Sequence, residues 1–273
     1  MSDLRIFSYL PNPRIWKATI AARLCGVDVE VRGSSPKELQ SWLWDFDAHP
    51  LSGNDLTTSA GTKTGKVGFT GTLHKTPAFM EAHPFGTVPA AFSPDGKTGI
   101  FESNSIMRAV ARLGEKRFPL YGRDAYEASR IDSFLDASLV FARDSQIYLL
   151  SLISGTVSPE IHSRMRDGFK VYLSGINQAL SPERDFVVGD SVTIADICFV
   201  AELALFFNEK ARSGELLKKG LEPILHDGIE AEFPLAFAHL ARLSKHAAFA
   251  PDVEPYLKKL ESPKRSDERS QAR

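Results

Sequence analysis

The sequence predicts an α/β domain followed by an all-α domain, and three observations carry that prediction. A strand, a helix and a second strand follow one another over residues 4–31. A Pro-Asp-Gly turn at 94–96 separates two short apolar runs, as in a hairpin, and a helical pattern comes next. From Asp124 onward, apolar residues recur only at helical spacing. The 273 residues, 43% of them hydrophobic, are enough to form two such cores.

The first three elements predict a parallel pair of strands joined by a helix. Residues 4–9 alternate as a half-buried strand, which Pro11-Asn12-Pro13 ends. Large apolar residues then recur at helical spacing as far as Gly26, a residue suited to a helix C-terminus. The second strand is an alternating run of valines, Val27, Val29 and Val31.

The following elements complete the first domain, predicted over residues 1–117. Residues 90–92 and 99–101 predict antiparallel strands, and Ser103 is suited to cap the next helix. The apolar face predicted for that helix consists of Ile106, Ala109, Val110 and Leu113. The Val88–Pro89 bond is of a kind that can be cis, which would leave the backbone of Val88 free to pair with an extended ligand. The order of strands and helices is thioredoxin-like.

The second domain is predicted as a helical bundle over residues 124–261. Its first long helix covers the 131–139 region, and Ser158-Pro159 opens another. Thr193 and Asp196 form a capping-box variant at the start of a third helix, so we interpret Asp196 as a folding residue. The polar residues 262–273 predict a disordered tail.

The end of the predicted hairpin suits an amino-acid head group. Backbone N–H groups at a helix N-terminus favour a carboxylate, Ser103 adds a hydroxyl donor, and Glu102 can accept from an ammonium. His74 and Lys75 precede a helix start and are able to hold a second carboxylate. The order of these parts around Val88 predicts a site for a small anionic peptide.

In these residues the sequence resembles the glutathione S-transferases, over nearly its whole length. Three blocks carry the likeness: Leu4–Val31, Thr76–Arg112 and Phe186–Val200. The chain is similar to the glutathione-transferase-like module of the gamma subunit of eukaryotic elongation factor 1, and its His-Lys-x-Pro element resembles the phi class of plants. The resemblance implies the two-domain glutathione S-transferase fold, with glutathione as cosubstrate.

The resemblance also implies roles for individual residues at two parts of glutathione. Glu102 and Ser103 would hold the γ-glutamyl group. Val88, followed by Pro89, would pair with the cysteinyl backbone.

At the glycine end, the resemblance implies that His74 and Lys75 bind the carboxylate. Thr87 occupies a position where the family often has Gln or Lys. One contact at the glycine end therefore differs in this chain.

Turnover requires a group that stabilises the thiolate of bound glutathione, because the thiolate is the nucleophile. In the family this donor lies at the end of the first strand or the start of the first helix. Asn12 is our first candidate, through its amide N–H, and Ser8 is the second, through its hydroxyl; Tyr9 and Arg14 are further donors. The alternative is structural: Asn12 shapes the Pro-Asn-Pro turn and Ser8 is buried.

Residues 33–73 form an insertion that is long for this fold. It contains an aromatic cluster, Trp42, Trp44 and Phe46. These side chains cover the substrate pocket, form a subunit interface, or anchor the insertion to the core. The glycines that follow do not form a phosphate loop, because the spacing from Gly61 is one residue short and Val67 replaces the required hydroxyl.

Composition limits the partners and the compartment. A formal net charge of −1 gives no global field for nucleic acid or an anionic membrane, and no segment reaches the roughly 20 apolar residues of a membrane span. Cys25 and Cys198 fall in separate helical patterns, which predicts buried free thiols and a reducing, cytoplasmic location. We predict no metal site. As in the family generally, we expect a homodimer or a heterodimer with a related chain.

Two classes of function follow from these observations. The first is an enzyme in which glutathione thiolate attacks a hydrophobic, aromatic electrophile, with β-etherase cleavage of lignin-derived aryl ethers as a candidate reaction. The second is a non-catalytic scaffold or partner subunit, as the elongation factor module is.

Overall fold

A computed structural model describes residues 2–55, 61–64, 69 and 71–261. The tail predicted at 262–273 lies outside the described residues, as does the 65–68 part of the glycine-rich stretch. Contacts divide the chain into two compact units. The first is Met1–Leu135 with Val188–Cys198, and the second is Asp136–Val187 with Phe199–Arg273.

The described residues contain two sheets and a series of helices. The strands are β1 (Leu4–Tyr9), β2 (Val29–Ser34), β3 (Trp42–Trp44), β4 (His49–Pro50), β5 (Gly61–Thr64), β6 (Thr72–Lys75), β7 (Ala90–Phe92) and β8 (Gly99–Phe101). The α-helices are α1 (Pro13–Cys25), α2 (Pro77–Ala82), α3 (Ser103–Leu113), α4 (Ala125–Ser154), α5 (Pro159–Ala179), α6 (Ile194–Phe206), α7 (Ser213–Leu217), α8 (Ile229–Glu232), α9 (Pro234–Ser244) and α10 (Ala250–Glu261). Helical 3₁₀ turns cover Glu38–Ser41 and Phe207–Arg212.

The main sheet has the order β2-β1-β7-β8 and confirms the predicted thioredoxin-like arrangement. Strand β1 is parallel to β2 and antiparallel to β7, and β7 is antiparallel to β8. Helix α1 joins the parallel pair and ends at Gly26, whose φ of 68° is the left-handed conformation that glycine adopts without penalty.

Two details of α3 differ from the prediction. The helix begins at Ser103, so Glu102, not Ser103, is the N-cap residue. Leu113 is exposed and Ala109 is half-buried, while Met107 and Ala111 are buried together with Ile106 and Val110. The buried stripe therefore follows the 3.6-residue period through residue 111, and Leu113 lies beyond its edge.

The insertion forms a second sheet, of order β4-β3-β6-β5, that is anchored in the core of the first unit. The Trp44 ring meets Phe7 edge-on at a centroid distance of 5.3 Å, and its Nε1 donates to the carbonyl of Leu39 at 3.0 Å. The buried cluster here consists of Phe7, Leu39, Trp44, Ala48, Leu73, Phe79, Ala90 and Phe92. Of the three roles considered for the aromatic residues, the structure supports anchoring.

The contact boundary falls within α4, and not at the predicted 117–124 connection. The amide of Ile194 donates to the carbonyl of Leu120 at 3.0 Å, which ties the 188–198 segment to the first unit. Asp196 accepts from the N–H and the hydroxyl of Thr193 at 2.8 and 2.9 Å. The capping box is therefore present, and Asp196 acts in folding as interpreted from the sequence.

The second unit contains a buried carboxylate, Glu209. Its Oε1 accepts from the Tyr148 hydroxyl at 2.5 Å and the Ile224 N–H at 3.0 Å, and its Oε2 accepts from the Leu225 N–H at 2.7 Å. Burial raises the pKa of Glu209, against the effect of these three donors. Burial and the neighbouring carboxylate also raise the pKa of Tyr148. The carboxylate joins α4 to the loop before α8.

Cys25 and Cys198 form no disulfide bond and are both buried, as predicted, and burial raises the pKa of the Cys25 thiol. Within the described ranges, no helix has the length and apolar character needed to cross a membrane.

Candidate ligand-binding site

The candidate site lies at one edge of the main sheet, where β1 and β8 end and β7 begins. Ala90 of β7 pairs with Phe101 of β8 and with Phe7 of β1. Continuing the first register places Val88–Pro89 beside Glu102–Ser103. Sheet topology thus brings together the two segments that the sequence predicted to hold a peptide.

Glu102 connects β8 to α3 in a strained backbone conformation. Its φ is 65° and its ψ is 124°, which is unusual for a residue with a side chain. The side chain is exposed and makes no capping hydrogen bond. Strain of this kind costs about 1–3 kcal/mol and concentrates at functional sites. The conformation keeps the Glu102 carboxylate at the surface beside the N-terminus of α3.

Ser103 is supported from within the protein by a buried lysine. Lys17 of α1 is 1% exposed, and its Nζ donates to Ser103 Oγ at 3.3 Å and to Asn104 Oδ1 at 2.8 Å. Asn104 is fixed in turn, since its Nδ2 donates to the Leu135 carbonyl at 3.0 Å and its Oδ1 also accepts from Cys198 Sγ at 3.4 Å. The first turn of α3 therefore rests on a buried positive charge.

This arrangement sets the direction of the Ser103 hydroxyl. An ammonium has only donors, so Ser103 Oγ accepts from Lys17 and keeps its own proton to donate elsewhere. The Lys17 charge and the positive end of the α3 dipole have the same sign. Together they favour an anion at this turn, as a carboxylate would supply.

The Val88–Pro89 bond is cis. Within the described part of the chain, the N–H and C=O of Val88 take part in none of the backbone hydrogen bonds, and Val88 is half-buried. Backbone groups of this kind are the ones that pair with an extended ligand, and such pairing at Val88 stays a prediction.

A histidine that the sequence did not single out organises the loop before Val88. His83 Nε2 accepts from the Thr87 N–H at 3.2 Å, and Lys75 Nζ donates to the Gly86 carbonyl at 2.6 Å. Gly86 has φ 61°, a conformation that favours glycine, and a Cβ there would lie 2.9 Å from Met80 Sδ and 3.2 Å from Lys75 Nζ. The sequence pattern gave no reason to select His83, because a lone histidine at the end of a helix is usually exposed to solvent.

His74 and Lys75 lie in strand β6. Neighbouring side chains of a strand point to opposite faces, so the two cannot converge on one carboxylate. Lys75 lies over the Trp44 ring, 4.8 Å from its centroid, and contacts the 86–88 loop through Gly86. Lys75 alone is thus near Thr87, which is exposed.

Asn12 and Ser8 are brought together at the start of α1. Asn12 Nδ2 donates to Ser8 Oγ at 3.2 Å, and Asn12 Oδ1 caps the helix by accepting from the Arg14 N–H at 3.0 Å. Their side chains are 1% and 0% exposed. These contacts are the ones expected from the structural alternative, in which Asn12 shapes the Pro-Asn-Pro turn and Ser8 is buried. A direct contact of either side chain with a thiol stays a prediction.

Replacing Glu102 with glycine is expected to raise stability and weaken ligand binding. Glycine tolerates φ 65° without strain, so the free energy of unfolding should rise by about 1 kcal/mol. Loss of the carboxylate should lower affinity for a γ-glutamyl peptide by about tenfold, through loss of one charged hydrogen bond. Chemical denaturation and calorimetric titration measure the two effects. Glu102→Ala is the control, since it removes the carboxylate and keeps the strain; equal stability of the two variants would contradict the strain argument.

Comparison with known proteins supports this description. No family model matches the chain. Elongation factor 1-gamma 3 of Oryza sativa is 33% identical over 135 residues, 49% of this chain and 32% of the relative. A probable elongation factor 1-gamma 1 of Arabidopsis thaliana is 28% identical over 206 residues, 75% of this chain and 41% of the relative. Glutathione S-transferase F9 of A. thaliana is 28% identical over 130 residues, 45% of this chain and 60% of that protein. The chain thus matches less than half of either elongation factor.

Solved structures extend the likeness to nearly the full chain. A glutathione S-transferase of Methylobacterium radiotolerans, in complex with glutathione sulfonate, has a TM-score of 0.58 at 18% identity and covers 92% of this chain and 94% of its own. The transferase URE2P6 of Phanerochaete chrysosporium, in complex with oxidized glutathione, has a TM-score of 0.60 at 19% identity, with 94% and 97% covered. The chain has the fold of the glutathione S-transferase superfamily, and the predicted resemblance is confirmed.

Proposed function

We propose that the first unit binds glutathione along the edge formed by Val88 and the N-terminus of α3. The observation that carries this proposal is the Lys17–Ser103 pair, which places a hydroxyl donor and a buried positive charge at the N-terminus of α3, beside the exposed Glu102. We assign the γ-glutamyl carboxylate to Ser103 and the γ-glutamyl ammonium to Glu102. The glutathione compounds bound to two proteins of the same fold support glutathione as the ligand.

The remaining contacts follow from the same edge. The cysteinyl backbone pairs with the N–H and C=O of Val88, and Pro89 turns the chain into β7. The glycine carboxylate lies toward Lys75 and Thr87, while His74, on the opposite face of β6, takes no part. Extended pairing supplies affinity through the backbone, and the charged ends select the peptide.

We further propose that bound glutathione reacts as a thiolate with a hydrophobic, aromatic electrophile and displaces a leaving group. Asn12 remains the first candidate to stabilise the thiolate and Ser8 the second. Their burial also supports a second function, a binding module without turnover, since neither side chain reaches the surface. Cleavage of aryl ethers is one reaction of this class to be tested.

Thermal unfolding with and without millimolar glutathione tests the binding. A ligand at 100 times its dissociation constant stabilises by about 2.7 kcal/mol, so the midpoint should rise. Ser103→Ala should remove most of the rise. Cysteinylglycine, which lacks the γ-glutamyl group, is the matched control ligand. It should raise the midpoint less than glutathione does, and the Ser103→Ala change should not alter that smaller rise. The proposal fails if wild-type protein shows no rise with glutathione.

Turnover of activated aryl halides and aryl ether dimers then separates the two functions. An enzyme consumes glutathione with one of these electrophiles, and Asn12→Ala should lower kcat with little change in KM. A protein that binds glutathione and turns over none of the electrophiles is the binding module.

We also propose that the chain forms a dimer with itself or with a related chain. Phe85, in the loop after α2, is 72% exposed and touches Phe101 at a centroid distance of 5.3 Å. Aromatic residues are enriched at interfaces between proteins, which is the support for this proposal. Sedimentation velocity over a hundredfold concentration range tests this, and a single monomeric species throughout would contradict it. The cytoplasmic location expected from the sequence stays a prediction.

A further inference from the structure

His83 is a buried imidazole beside the Val88 edge to which no ligand contact has been assigned. Its ring is 1% exposed and stacks on Phe101, with centroids 4.8 Å apart and planes 3° from parallel. Phe79 of α2 lies 5.8 Å away from it, centroid to centroid. Because Phe101 directly precedes Glu102, the ring contacts both the strand end that leads to α3 and the loop that leads to Val88.

The hydrogen bonds of His83 fix its tautomer. The Thr87 N–H donates to Nε2 at 3.2 Å, so Nε2 carries a lone pair and the ring proton is at Nδ1. Nδ1 is buried and has no hydrogen-bond partner within the described residues. A second proton at Nε2 would face the Thr87 N–H, and only Thr87 Oγ1, 3.2 Å from Nε2, could accept it. The Thr87 N–H therefore has an acceptor in His83 only while the ring is neutral.

The surroundings keep the ring neutral. Burial lowers the pKa of His83 from its ordinary value of 6.5, against an opposing effect of the hydrogen bond with Thr87, and the Lys75 ammonium lowers the pKa further. Lys75, on β6, is the charged group that acts on the His83 ring. The side chains that α2 and β8 pack against the ring are Phe79 and Phe101, which carry no charge. Lys75 also donates to the Gly86 carbonyl, so Lys75 and His83 hold the two polar groups of the same peptide bond, Gly86–Thr87.

We propose that His83 is a positioning residue of the glutathione site: the neutral ring holds the Thr87 amide and thereby fixes Val88, and protonation releases the 86–88 loop and weakens binding. This inference rests on the proposed function. An opened loop takes up the proton below about pH 6.5, whereas the closed loop takes it up only at lower pH. Affinity for the ligand is therefore highest above about pH 6.5. It decreases as the pH falls from there toward the lower pKa of His83 in the closed loop.

Affinity for S-methylglutathione between pH 7.5 and 5.0 tests the inference. This ligand has no thiol to ionise, and its carboxylates stay ionised over the range. Wild-type affinity should fall by about tenfold, as for loss of one buried hydrogen bond. His83→Gln offers an amide oxygen that does not titrate, so its profile should be flat. His246→Gln is the matched control: that histidine also accepts a backbone N–H, from Ala248 at 3.1 Å, but it lies in the other unit. Its profile should follow the wild type.

A measurement on the ligand-free protein separates this inference from the proposed function. Nitrogen-15 spectra should show the Nδ1–H tautomer for His83, and the protection factor of the Thr87 amide should drop below about pH 6 in the wild type but not in His83→Gln. Thr87→Val, which keeps the amide and removes the hydroxyl, should retain the drop. An Nε2–H tautomer, or the same profile in His83→Gln and wild type, overturns the role of His83. Absence of any binding of S-methylglutathione overturns the proposed function, and amide protection then decides the role of His83 alone.

Discussion

Replacing Lys17 with methionine is expected to lower affinity for glutathione by about 10- to 100-fold while leaving stability within about 1 kcal/mol. The variant loses the buried charge and the donor that turns the Ser103 hydroxyl outward. Methionine has a similar length and fills the same buried space. Removing a buried cation also removes its desolvation cost, which offsets the lost hydrogen bonds to Ser103 and Asn104. Calorimetric titration and chemical denaturation measure the two quantities separately.

Two controls give this prediction its specificity. Lys97→Met removes an exposed lysine from the hairpin of the same unit and should change neither affinity nor stability. A double-mutant cycle with Ser103→Ala should be non-additive, because Lys17 acts through Ser103. Additive losses would show that Lys17 acts on the ligand independently of Ser103, and unchanged affinity in Lys17→Met would remove the residue from the site.

The fold class and the edge of the site follow from sequence because they depend on local signals. Periodicity identifies the strands and helices, and the order of β7, β8 and α3 puts Val88 next to Ser103 whatever the rest of the chain does. A helix N-terminus after a strand is also a local feature. The pairing of short strands that are neighbours in the sequence can therefore be predicted from the sequence.

The supporting residues depend on tertiary contacts that no local pattern records. Lys17 and Ser103 are 86 positions apart, and only the packing of α1 on α3 brings them together. One signal was present: nearly every other buried position of α1 is apolar, so a lysine inside that helix needs a polar partner. His83 gave no such signal, because its burial results from stacking on Phe101 of another strand.

The structure places His74 and Lys75 in a strand, which bears on their predicted joint role in binding a carboxylate. Their neighbours, a threonine and a proline, suggest a loop, whereas β6 exists only because β3 and β5 of the insertion pair with it. A loop allows two adjacent side chains to converge, and a strand separates them onto opposite faces. The insertion thus decides which residue of the pair is near the ligand edge.

Replacing Glu209 with alanine is expected to lower the free energy of unfolding by about 3 kcal/mol or more, the largest stability effect we predict. The change leaves three buried donors without their acceptor: the Tyr148 hydroxyl and the amides of Ile224 and Leu225. Each unsatisfied buried donor costs about 1–3 kcal/mol, and the second unit has to relax to reach water. Chemical denaturation of the full chain measures the loss. Glu215→Ala, which removes an exposed ion pair with Lys218, is the control and should cost less than about 0.5 kcal/mol.

The pH dependence of Glu209→Gln separates the charge of this side chain from its hydrogen bonds. Burial raises the pKa of Glu209 in the folded protein, so the folded state holds the proton more tightly than the unfolded state does. The contribution of this group is therefore fully present below the unfolded value of about 4.5 and is lost as the pH rises through the folded pKa. Glutamine does not titrate, so the stability of wild type relative to Glu209→Gln should decrease as the pH rises from about 4.5. A difference that stays constant with pH would contradict this direction and would mean that the three donors balance the effect of burial. A difference that increases with pH would mean that the donors outweigh burial and stabilise the carboxylate as an anion.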